Sequence, residues 1–180
     1  MDRASTLRET GRHLARKGTI VMAELEGIFS ESTETFPLGV KRFYAEDDEI
    51  AVVVSTGDMS HGAIDEWVDV MTDTIQQRVD VQQPVFMLTT SAVEEQGFSR
   101  YAQKRVEGVL NAVPNNFPVY AAMVFPPGII SQFVSVFLNS MMRRSAKQIR
   151  AEMFTDREHA ITWLNHMRAR HNETIINQAV

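Results

Sequence analysis

From Val40 onward the chain alternates short β-prone apolar runs with stretches in which apolar residues return every three or four positions. Few architectures accept that alternation. Val40 to Ala45 and Glu49 to Ser55 flank the acidic turn Glu46, Asp47, Asp48, which predicts a β-hairpin. The second run, IAVVV, is continuously apolar and reads as a central strand. Thr56, Gly57 and Asp58 end it, and Ser60 is placed to cap a helix in which Ile64, Trp67, Val68, Met71 and Ile75 share a face. The pattern then repeats. Pro84 to Thr90 leads to a helix bearing Tyr101, Ala102, Val106, Val109, Leu110 and Val113. Val119 to Phe125 leads to one that starts after Pro126, Pro127 and Gly128, and Ile149 to Phe154 leads to one capped by Asp156. Strands joined by helices run parallel through crossovers, so the expectation is an α/β fold: a mostly parallel sheet with an N-terminal hairpin, covered by helices and wound with right-handed crossovers.

The flanks read differently. Residues 1–38 are expected to form an N-terminal extension: a basic arm with Arg3, Arg8, Arg12, Arg16 and Lys17, an extra strand over Thr19 to Ile28, and a surface loop over Ser30 to Pro37. Residues 39–165 form the α/β domain, and 166–180 a polar C-terminal tail that includes His166 and His171. A length of 180 residues suits one domain.

Composition narrows the chemistry. A formal charge of -5 supplies no general attraction for phosphates, which argues against nucleic acid as a partner. There is no cysteine, hence no disulfide, thiolate metal site or cysteine nucleophile. The five histidines follow no metal-ligand spacing, and neither GxGxxG nor a P-loop occurs, so no metal or cofactor is expected. The most apolar window, Val119 to Met142, is broken by Pro126, Pro127 and Gly128 and carries several polar residues, which argues against stable membrane insertion. With a polar start from Met1 to Lys17, a cytoplasmic setting is the default.

The ending Phe154, Asp156, Glu158, Ala160, Trp163, Leu164 spells F-x-D-x-E-x-A-x-x-W-L. Together with the order of elements from Val40 to Leu164, it resembles the SpoIIAA-like STAS domains, within the STAS/SEC14-like group. Physically, Asp156 caps the last helix, Glu158 suits its first turn, and Ala160, Trp163 and Leu164 form its inner face. In phosphorylatable members of the wider family a serine at a helix N-terminus accepts phosphate, and an ungapped comparison puts Ser99 at that position. There the chain departs from the pattern, with Gly97 and Phe98 where an acidic residue and a serine are usual and Arg100 in place of glycine. On its residues alone, Ser99 is an N-cap.

Two further places carry candidate function. Asp58, Ser60 and His61 follow a central strand, on the edge where open α/β sheets bind ligands, and read either as a polar pocket rim or as ordinary turn and cap residues. The third helix, IISQFVSVFLNSMM, carries Ile130, Phe133, Val134, Phe137 and Met141 among apolar residues spread over more than half its circumference. Such a surface calls for a cover: the N-terminal segment, a second subunit or a small hydrophobic ligand. Arg143, Arg144, Lys147 and Arg150 follow as a basic cluster, read as a solvated helix end or an anionic head-group site. No catalytic constellation is evident. The resemblance implies a non-catalytic binding module for regulatory protein–protein interaction, as a homodimer or with another protein. The alternative is a carrier or sensor of a lipid-like or quinone-like ligand.

Overall fold

The computed structural model describes residues 33–45, 49–55, 60–91, 99–125, 129–144 and 147–178, without the side chains of 91, 129–133, 141, 142, 144 and 178. Six strands form one mixed sheet in the order β1 to β6: β1 (Glu34–Thr35), β2 (Val40–Ala45), β3 (Ile50–Ser55), β4 (Val85–Ser91), β5 (Val119–Val124) and β6 (Ile149–Phe154). The helices are α1 (His61–Asp80), α2 (Arg100–Ala112), α3 (Ile129–Arg144) and α4 (Arg157–Gln178). β1–β2 and β2–β3 are antiparallel, with Val40 opposite Ser55 and Ala45 opposite Ile50. β3 to β6 are parallel. The expected α/β class and leading hairpin are present.

Strands that are consecutive in sequence are neighbours in space, and α1, α2 and α3 pack on one face. Crossovers of a single hand between neighbouring strands give this arrangement. Ile64, Trp67, Val68, Met71 and Ile75 of α1 are buried there with Ala102, Val106 and Val109 of α2 and Val134 and Leu138 of α3. α4 folds beneath the other face, burying Ala160, Leu164 and Met167 against Phe86, Leu88 and Ala122. Burying a Leu164-sized side chain stabilises by roughly 1.5–3 kcal/mol.

Two segments depart from the sequence expectation. The Ser30 to Pro37 stretch, read as loop, contains β1. Glu34 pairs with Arg42 in register, Phe36 N donates to Val40 O at 2.8 Å, and Gly39 turns the chain at φ 95, a conformation glycine adopts without a Cβ clash. On α1, the Glu66 carboxylate accepts from Leu38 N at 2.9 Å and Val40 N at 3.1 Å, fastening this turn to the helix. The stretch 166–180, read as a polar tail, is helical through Gln178, because Met167 and His171 continue the sheet-facing stripe begun by Ala160 and Leu164. The basic arm and the strand expected over Thr19 to Ile28 lie outside the described residues.

Candidate functional site

Because β3 and β4 are parallel neighbours, α1 and α2 both start at the C-terminal edge of the sheet, and they pack on each other. That edge is where open α/β sheets expose ligand-binding groups. Each helix is capped by a serine in extended conformation. Ser60 Oγ accepts from Ala63 N at 3.3 Å, and Ser99 Oγ accepts from Ala102 N at 3.1 Å. Ser60, His61, Ser99 and Arg100 are all exposed.

Between the two first turns the rings of His61 and Tyr101 stack, with centroids 4.0 Å apart and planes at 27°. Tyr101 donates its hydroxyl hydrogen to Asp65 Oδ1 at 2.6 Å. This bond favours the phenol over the phenolate and pushes the Tyr101 pKa above its ordinary 10.0. Arg105 completes the seam with ion pairs to Asp65 at 2.7 Å and Asp69 at 2.8 Å. Asp65 and Asp69 lie one turn apart on α1, and Tyr101 and Arg105 one turn apart on α2, so two i,i+4 stripes meet. Deeper in, Trp67 Nε1 donates to Thr89 Oγ1 at 3.0 Å, with both residues buried, locking α1 onto β4 below the cluster.

The structure treats the sequence candidates unequally. It brings His61 and Ser99 to one edge through α1 and α2, and adds Tyr101, Asp65 and Arg105, which sequence reasoning did not single out as a cluster. The signal was the acidic pair at 65 and 69 facing an aromatic and basic pair at 101 and 105, legible only once the two helices are known to be neighbours. Asp58 lies outside the described residues, so the rim is described for Ser60 and His61 alone. On α3, Val134 is fully buried, Phe137 packs partly against the core, and Val136 is 69% exposed; the side chains of Ile130, Phe133 and Met141 lie outside the described set.

In the basic cluster, Lys147 caps a helix rather than reaching for an outside anion. Its Nζ donates to Leu110 O at 2.9 Å, Asn111 O at 2.7 Å and Val113 O at 2.5 Å, the carbonyls that the end of α2 leaves without helical partners. A groove of about 340 Å³ runs between α3 and β6, lined by Ser135, Leu138, Asn139, Ala151, Glu152 and Met153. Among the described residues no group of three or more His, Asp or Glu could hold a metal ion, and no helix is long and apolar enough to cross a membrane.

These features define an α/β protein with a mixed six-stranded sheet and a two-helix polar seam at its C-terminal edge. No protein-family model, curated protein or solved structure matches the chain.

Proposed function

We propose that this chain is a non-catalytic, STAS-like cytoplasmic binding module for regulatory protein–protein interaction. Its contact surface is the C-terminal edge formed by the first turns of α1 and α2. The carrying observation is the His61–Tyr101 stack, which sets two serine-capped helix starts side by side with Ser99 exposed. A stacked imidazole and phenol on rigid helices offer a partner an amphipathic anchor at low entropy cost. The order of hairpin and βα units supports the family reading, as does the terminal signature, in which Asp156 accepts from His159 N at 2.9 Å while Ala160 and Leu164 are buried.

Ser99 is the regulatory position in this reading. A phosphate on an N-cap serine meets free backbone amides and the positive end of the helix dipole, and it would change the charge of the surface without unfolding α2. The test is quantitative affinity capture from the native cell extract with the wild-type chain, Ser99→Asp and His61→Ala, followed by identification and direct binding of whatever the wild type retains. A partner whose affinity falls in both variants supports the reading. One that binds all three equally removes this edge as the contact surface.

A further inference from the structure

Among the described residues the sheet ends in two edges that are built differently. β1 is only two residues long, one of the usual ways of blunting an edge against strand addition. β6 is six residues long, pairs in unbroken register with β5, and contains neither proline nor bulge. Among the described residues nothing pairs with its far side. Val119 N donates to Gln148 O and Phe125 N to Phe154 O, so the even-numbered residues of this strand turn their backbone groups toward β5. Ile149, Ala151 and Met153 therefore present theirs to the free edge. The groove under α3 is lined along this same strand by Ala151, Glu152 and Met153.

The side chains specify the partner. Arg150 and Glu152 are both exposed, and their register partners Tyr120 and Ala122 place them on the α4 face of the sheet. Ile149 and Met153 lie on the α1–α3 face. We propose that β6 is the dimerisation edge and that its partner is the β6 of a second copy, paired antiparallel about a two-fold axis at Ala151. In that register Arg150 stands opposite Glu152 of the second copy, twice over, in the close pairs where Cα atoms are about 4.5 Å apart. Ile149 stands opposite Met153, and each outward residue pairs through both its N–H and its C=O, giving about six hydrogen bonds. Registers centred on Arg150 or Glu152 set like charges opposite one another, and those centred on Ile149 or Met153 shorten the ladder. An axis perpendicular to the sheet keeps both α3 helices on one face and sets them side by side, closing the two grooves toward each other. The inference rests on the strand edge alone and is independent of the surface formed by α1 and α2.

Sedimentation equilibrium of the full chain over a concentration series tests it. The wild type should dimerise. Arg150→Glu and Glu152→Arg should each weaken the dimer at least about tenfold, 1.4 kcal/mol, because each sets like charges opposite one another. An equimolar mixture of those two variants should recover wild-type affinity as a heterodimer, and so should the double exchange in one chain. Ala151→Pro removes an N–H that faces outward and breaks no bond to β5, so it should give a folded monomer. A wild type that stays monomeric, or a dimer unaffected by the single charge reversals, overturns the proposal. Failure of the mixture to restore association overturns the register.

Discussion

The imidazole of His61 lies flat against the phenol ring of Tyr101, joining the first turns of two helices whose contacting residues are forty positions apart in the chain. The hydroxyl end of that pair is tied to Asp65, so the stack is held at its edge as well as its face. Its polarity has a measurable consequence. In a spectrophotometric titration, one of the three tyrosines should ionise above the ordinary 10.0, because loss of its proton sets phenolate against the Asp65 carboxylate. Asp65→Asn should bring that transition back toward 10.0.

Thr89→Val should destabilise the fold by about 1–3 kcal/mol in urea denaturation. The substitution keeps the shape of the side chain but leaves the buried Trp67 N–H without an acceptor. Trp67→Phe combined with Thr89→Val should cost less than the sum of the single changes, because the orphaned donor is then gone. A double-mutant cycle with no coupling would show that the bond contributes nothing.

Lys147→Met should destabilise by about 1.5–3 kcal/mol, the usual range for hydrogen bonds to a charged group. Three carbonyls at the end of α2 lose their common donor while the aliphatic stem is kept. Hydrogen exchange should report faster opening in the last turn of α2, with α1 unchanged.

His171 packs edge-on against Phe86 and Tyr120, its Nδ1 lying 3.3 Å from the Tyr120 hydroxyl, and this burial pulls its pKa below the ordinary 6.5. A histidine with a depressed folded pKa binds its proton more readily in the unfolded chain, so the stability it contributes is complete above 6.5. That stability declines as pH falls from 6.5 toward the folded value. Thermal denaturation between pH 7.5 and 5 should show this decline in the wild type, and His171→Gln should flatten it. Asp156 acts in a lower window. Its bonds from His159, backbone first and then side chain, hold it below 3.8, so its contribution persists above that value and is lost as pH falls through the folded pKa.

The helix stripe around Trp67, the strand from Ile149 to Phe154 and the three caps Ser60, Ser99 and Asp156 were legible because each is a local signal. A period of 3.6 or 2, or a hydroxyl or carboxylate three residues before an amide, is written within one turn of chain. The full length of α4 is not legible in the same way, since the sheet-facing stripe of Ala160, Leu164 and Met167 ends in a histidine, a residue type that periodicity counts as polar. β1 leaves no sequence signal because two residues carry no period. Their pairing depends on Glu34 meeting Arg42, which also bonds Asp73 on α1.

What the sequence by itself determined is the order, type and inner faces of the elements from Val40 to Leu164, since burial demands the same spacing whatever the neighbours. What only the tertiary structure decided is which polar groups meet. Arg42 reaches Asp73 across 31 positions, Arg105 reaches Asp69 across 36, and Lys147 reaches the end of α2 across 34. A charged side chain states that it needs a partner but not which one. That choice is made when the hydrophobic faces have stacked sheet and helices and brought distant polar groups within hydrogen-bonding distance.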